Sequence, residues 1–279
     1  SNPGGWSAPE VIGCFIVAGA ALAWFIVAEL RNPAPLLQIR LLAERNFGIS
    51  MAVLTLFAIG MLGGTYLLPL YMQRGLGYTA LAAGSMFLPV GVIQGVLSAV
   101  SGYLTRYVRP LLLSAAGILI MALSFWLASR FTLHTTHGHI LFILYLRGFG
   151  MGLTFAPLNL FSLKNLTQQD MAAAAGISNS IKQLAGSIGI ALLTVIFSAR
   201  TSYHAAHETV SAAQTYVEGV TDALRVVAVL TLAALLPLLG VFRKKRPGKS
   251  GVKGAATPSP GEAVSGKTDK TTIYRTKPE

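Results

Sequence analysis

Long apolar runs separated by short polar stretches set the pattern of this chain. Taking about 20 apolar residues as one bilayer crossing, the runs at 9–29, 47–68, 82–102, 111–129, 140–161, 174–197 and 222–242 predict seven transmembrane helices. Pro33 and Pro35 prevent the first run from continuing as helix. In the connection that follows, Leu36, Leu37, Ile39, Leu41 and Leu42 alternate with Gln38, Arg40, Glu44 and Arg45, as expected of a short segment lying at the interface. Pro89 predicts a kink in the third span, and Pro157 with Asn159 predicts a break in the fifth. From Pro247 onward the chain is rich in Gly, Ser, Thr, Pro and Lys, a composition that predicts disorder.

Composition agrees with a membrane chain. Hydrophobic residues make up 53% and charged residues only 11%, whereas charged residues are about a quarter of a soluble protein. The net charge of +12 is concentrated, since ten of the 22 Lys and Arg lie from Arg243 to Lys277. A polybasic segment beside a span reads as an anchor on anionic lipid. No aromatic-basic platform accompanies the charge, so no nucleic-acid partner is expected. The connections after the first, third and fifth spans carry Arg31, Arg40, Arg45, Arg106, Arg109 and Lys164, while the alternate ones carry Arg74, Arg130 and Arg200. The positive-inside rule then puts the tail in the cytoplasm and the N-terminus outside. A single cysteine, Cys14, excludes an internal disulfide. The opening Ser1-Asn2-Pro3-Gly4-Gly5-Trp6 has neither an initiator Met nor signal-peptide features, so the chain reads as part of something longer.

Candidate chemistry centres on residues 176–191, GISNSIKQLAGSIGIA. Asn179, Lys182 and Gln183 are costly in lipid unless they face protein or water. The small residues around them, including Gly186 and Gly189, let neighbouring helices approach closely. Two readings stand, a pathway lining and helix packing alone. Gln94, deep in the third span, is either an interhelical hydrogen-bond partner or a substrate contact. Arg147 in the fifth span either needs a cavity or partner or snorkels to the outer interface. Gly60 with Gly64 and Gly91 with Gly95 form GxxxG pairs that mark close crossings, and Gly148, Gly150 and Gly152 thin one face of the fifth span. His134, His137 and His139 share an outer loop without a completing carboxylate or Cys, so a solvated loop is the favoured reading and no metal is expected. Asp222 and Arg225, one turn apart, predict a local ion pair at the start of the last span. No Asp or Glu falls in the interior of any predicted span, which leaves the chain without an intramembrane proton carrier. Nor is there a nucleophile–base or metal set for an enzyme.

Five ordered blocks, GWSAPEVIG, PLLQIRLLAERNFGIS, YLLPLYMQRGLGYTALAAGSMFLPVG, RGFGMGLTFAPLN and GISNSIKQLAGSIGIAL, resemble the fourteen-span drug:proton antiporters of the major facilitator superfamily, the EmrB/QacA type. The resemblance implies an all-α membrane fold. Residues 47–242 would form the C-terminal six-helix bundle, after an outer-loop remnant (1–8), an extra span (9–29) and an interfacial connection (30–46), and before a disordered basic tail (243–279). It implies that Gln94, Arg147, Asn159, Asn179, Lys182 and Gln183 lie on or near the side of a cavity shared with an N-terminal bundle. Met61, Met86, Phe87, Met151 and Phe155 would offer an adaptable apolar wall to lipophilic cations and uncharged drugs. Gly60, Gly64, Gly91, Gly95, Gly148, Gly152, Gly186 and Gly189 would serve helix packing. Two departures stand out: GYLTRYVRP lacks the acidic residue of the family's cytoplasmic loop motif, and Lys182 stands where the family commonly has Arg. The function implied is alternating-access efflux of drugs or metabolites across a bacterial inner membrane, with no cofactor and a proton gradient as energy source. The coupling acids would lie in the other half. The implied partners are that N-terminal half, the lipid bilayer, lipophilic substrates and a periplasmic adaptor. The alternative is a non-transporting remnant or membrane assembly partner.

Overall fold

The computed structural model describes residues 9–31, 39–164, 166–168, 170–207 and 211–244. The opening residues, the two prolines after the first span and the basic tail lie outside them. All regular structure among the described residues is helical: α1 (Pro9–Arg31), α2 (Arg45–Leu70), α3 (Ala80–Ser85), α4 (Leu88–Leu104), α5 (Pro110–Ala128), α6 (His137–Leu163), α7 (Asp170–His207), α8 (Ala212–Ala233) and α9 (Leu235–Lys244). A 3₁₀ turn, Ile39–Ala43, precedes α2, and a π-helical turn, Tyr71–Gly75, extends it. Side-chain oxygens start several of these helices by taking otherwise unpaired amides. Glu44 accepts from Phe47 N at 2.8 Å, Thr79 from Ala82 N at 3.2 Å and Ser211 from Gln214 N at 3.3 Å.

Among the described residues, six stretches are long and apolar enough to cross a membrane: Arg45–Gly75, Ala80–Leu104, Pro110–Ala128, His137–Leu163, Asp170–Ala205 and Ala213–Leu238. Each matches a predicted span, with three differences. The third span is broken at Met86–Phe87, because Pro89 sits in the first turn of α4, where no amide is needed. Pro157 does not end α6, which runs on to Leu163. The last span begins at Ala212 and not at Asp222, so Glu218 and Asp222 lie within a helix, contrary to the expectation of acid-free spans. The first predicted span is the helix α1, whose described side chains Ile16, Val17, Trp24 and Val27 are exposed.

Packing organises the bundle around α2, which lies against α6, α7 and α8, while α5 packs on α6 and α8, and α4 on α6. The core holds Phe47, Phe57, Tyr71, Ile118, Met121, Phe125, Ile140 and Leu144. Close backbone approach makes the helix crossings possible. A Cβ on Gly189 of α7 would stand 2.7 Å from the carbonyl oxygen of Ile59 on α2, and one on Gly152 of α6 would stand 2.6 Å from Leu97 Cβ on α4. Gly148 meets Val90, Gly186 meets Leu62, Gly60 meets Thr231 and Gly64 meets the Phe125 ring. Gly117 and Gly150 bring α5 and α6 equally close, the would-be Cβ of Gly117 lying 2.8 Å from Gly150 O. Gly91 and Gly95 differ from the reading as a close crossing, since open space surrounds both. They lie on the exposed side of α4 with Val92 and Val96.

Burial along the spans is uneven. Only 17% of the apolar window of Ala80–Leu104 and 22% of that of Asp170–Ala205 is buried, against 50–61% in the other four. The helices α4 and α7 thus each present a broad uncovered side. Gly189→Val forces backbone apart at the α2–α7 crossing, where overpacking costs about 1–3 kcal/mol, whereas Gly91→Ala meets nothing. Thermal unfolding of the purified protein should show a clear drop in midpoint for the first and none for the second.

Candidate functional site

Three helix segments meet at the end of the bundle where α6 turns into α7. The start of α2 supplies Leu54, the end of α6 supplies Phe155, Asn159, Ser162 and Leu163, and the start of α7 supplies Ala175, Ser178, Asn179 and Lys182. Together they enclose a cleft of about 310 Å³. The α7 contribution follows helix geometry, because Ala175, Ser178, Asn179 and Lys182 are spaced three, four and seven apart and so share one face. Local hydrogen bonds hold the two serines, Ser162 Oγ donating to Asn159 O at 2.7 Å and Ser178 Oγ to Ala174 O at 2.7 Å. On the apolar side the Phe155 ring meets Phe57 edge to face, with centroids 5.5 Å apart.

Phe155, Asn159, Asn179 and Lys182 of the expected pathway residues are therefore brought together. Lys182 is half-buried, and both asparagines are exposed. Gln183 is exposed on the adjacent face of α7, with Leu184 and Ser187. Gln94, Phe87 and Met151 are half-buried elsewhere in the bundle. Leu54, Ser162, Leu163, Ala175 and Ser178 were not anticipated. The spacing of Ser178 to Lys182 carried a signal for one of them, while an apolar side chain such as Leu54 carries none.

Arg147 has a different surrounding from the one expected. Its side chain is 2% exposed and turned into the bundle, so it neither snorkels nor lines the cleft. Nη2 donates to Met61 O at 3.0 Å and to Thr65 Oγ1, and the guanidinium lies 5.7 Å from the centroid of the Phe125 ring. An arginine at that depth needs partners, and it finds them on α2 and α5. Met61, expected on an open wall, is buried in the same packing.

Charged groups gather at the opposite end, where α7 turns into α8. Arg225 Nη1 reaches Asp222 Oδ1 at 2.8 Å, the pair the sequence predicted. His204 joins them, with Nε2 3.1 Å from Asp222 Oδ2 and Nδ1 3.5 Å from Glu218 Oε2, and Arg200 Nε is 3.9 Å from Asp222. The His134 side of the loop between α5 and α6 lines a second cleft, of about 180 Å³, with Gln214 and Glu218. His137 and His139 instead lie near aromatic rings, 6.2 Å from Tyr78 and 6.2 Å from Phe131. In the loop after α4, where an acidic residue is missing, Arg106 sits 5.4 Å over the Tyr103 ring and the hydroxyls of Tyr103 and Tyr107 are 3.2 Å apart.

Residues 2–190 match the family described as Major Facilitator Superfamily. The chain is similar to the uncharacterized MFS-type transporter YhcA of Bacillus subtilis, at 30% identity over 200 residues covering 72% of this chain and 38% of that protein. It is 30% identical over 195 residues to the fatty acid resistance protein FarB of Neisseria gonorrhoeae, covering 70% and 38% of the two chains. It is 32% identical over 207 residues to the multidrug export protein EmrB of Escherichia coli, covering 74% and 40%. The match thus spans about two-fifths of the length of these curated relatives.

The described geometry makes a labelling prediction. In a Cys14→Ser background, Asn159→Cys and Asn179→Cys should react readily with a small water-soluble thiol reagent, because both sites open to the cleft, while Met61→Cys stays protected. Equal protection at all three sites would mean that the cleft is not wetted.

Proposed function

This chain belongs to the major facilitator superfamily, and from that premise we propose that it forms the C-terminal bundle, with one preceding span, of a proton-driven efflux transporter. It is a multi-pass membrane protein of a transporter family and not an enzyme. The observation that carries the efflux reading is the cleft of Lys182, Asn179 and Asn159, polar groups gathered on α6 and α7 and left open. Polar side chains at membrane depth are retained where they face a pathway. The uncovered sides of α4 and α7 support pairing with a second six-helix bundle, on the same polypeptide or another, as does the two-fifths of relative length that the match spans. Alternating access then is rocking of the two bundles around a site between them.

On this reading the protein resides in a bacterial inner membrane, its basic tail in the cytoplasm and its N-terminus outside, as the distribution of Lys and Arg supports. Its substrates are lipophilic drugs or metabolites. The names of two relatives, multidrug export and fatty acid resistance, support that range. The driving force is the proton gradient, the coupling acids belong to the second bundle, and a periplasmic adaptor carries the exported molecule onward.

The experiment is dye and drug efflux from cells making the protein as its gene encodes it, with Lys182→Ala and Asn179→Ala compared at equal abundance. Each should lower the initial rate by about tenfold, the equivalent of roughly 1.4 kcal/mol of lost interaction, and collapse of the proton gradient should abolish it. Unchanged rates would remove the cleft from the pathway. No efflux above control cells would favour a non-transporting assembly role.

A further inference from the structure

The chemistry of the cleft is one-sided. Lys182 is the only ionisable residue among the described residues that line it. No described carboxylate lies within ion-pair distance of its ammonium, since the described ion pairs all gather at the α7–α8 end. Asp170, on the same helix, lies twelve residues earlier, about 18 Å along the axis at 1.5 Å per residue, and accepts a hydrogen bond from Thr167 Oγ1 at 2.6 Å. The positive charge is therefore uncompensated in a half-buried setting, where charge–charge interactions are screened less than in water.

Around that charge stand two kinds of surface. The amides of Asn159 and Asn179 can donate hydrogen bonds beside the ammonium, while Leu54, Phe155 and Leu163 form an apolar wall. A headgroup that accepts hydrogen bonds and carries negative charge meets complementary partners on the first surface. An apolar body meets the second. A lipophilic cation finds the same apolar wall but is repelled by Lys182. Resting on the efflux reading above, we propose that the Lys182 cleft selects amphiphilic organic anions, a carboxylate or comparable headgroup on an apolar body, over lipophilic cations of the same shape. This differs from the cation and neutral-drug preference that the apolar residues alone suggested.

The test is fluorescence binding to the encoded protein in lipid nanodiscs, with two probes of equal tail length, dansylaminoundecanoate and its trimethylammonium counterpart. The anion should bind about tenfold more tightly than the cation. Lys182→Gln should erase that preference by weakening the anion alone, Lys182→Arg should keep it, and Lys182→Glu should reverse it. Equal binding of the two probes to the wild type would overturn the proposal. So would an equal loss of both in Lys182→Gln, which would assign the lysine to the architecture or to a carboxylate of a facing bundle. Growth tolerance to dodecanoate and dodecyltrimethylammonium separates this inference from the one beneath it. Lys182-dependent anion binding without any raised tolerance would sink the efflux reading and leave the selectivity standing. Raised tolerance to the cation alone would do the reverse.

Discussion

The bundle depends on the backbone contact between α2 and α7. At Gly189 the two helices come so close that the missing side chain is replaced by the carbonyl of Ile59. Nearly one turn of such contact, with Gly186 receiving Leu62, fixes where α7 crosses α2 and at what rotation. That rotation decides which of its residues face Leu54 and the end of α6. The cleft is a product of this crossing, since Ala175, Ser178 and Lys182 reach it only while Gly186 and Gly189 face α2. Packing between helices in lipid has little hydrophobic drive, so close van der Waals contact of this kind carries much of the association.

Arg147 belongs to the same framework from the other side. It joins α6 to α2 through Met61 O and Thr65 Oγ1 and rests against Phe125 of α5. Three helices thus share one guanidinium with neutral partners. The charge costs desolvation, and the fork of donors fixes the relative register of the helices that satisfy it. The cleft side of the molecule is left to groups that are less constrained, the asparagines and Lys182.

Much of this architecture was legible in the residue pattern because hydropathy reports depth. Each of the six long apolar stretches appeared near its predicted place, and Lys182, Asn179, Asn159 and Phe155 were singled out before their meeting in one cleft was known. What hydropathy does not report is rotation about the helix axis. Arg147 and Gln94 look alike as isolated polar residues in apolar runs, yet one is enclosed and the other half-buried, because neighbours that are distant in sequence set the azimuth. Gly91 and Gly95 have the same spacing as Gly60 and Gly64, but no neighbour among the described residues comes to them. The start of α8 was missed for a different reason. Glu218 and Asp222 lower the local hydropathy, and their partners His204 and Arg200 lie on α7, distant in sequence, beside Arg225 on α8 itself.

The clustering of the described ion pairs at a single end of the bundle makes its response to electrolyte lopsided. Mobile ions weaken attraction between partly exposed charges over about a Debye length, near 8 Å at physiological strength, and they have no such hold on a glycine pressed against a carbonyl. Concentrated salt therefore loosens the joint of α7 with α8 while leaving the α2–α7 crossing as tight as before. The long helix α7 has one end answerable to the surrounding medium and a midsection that is not.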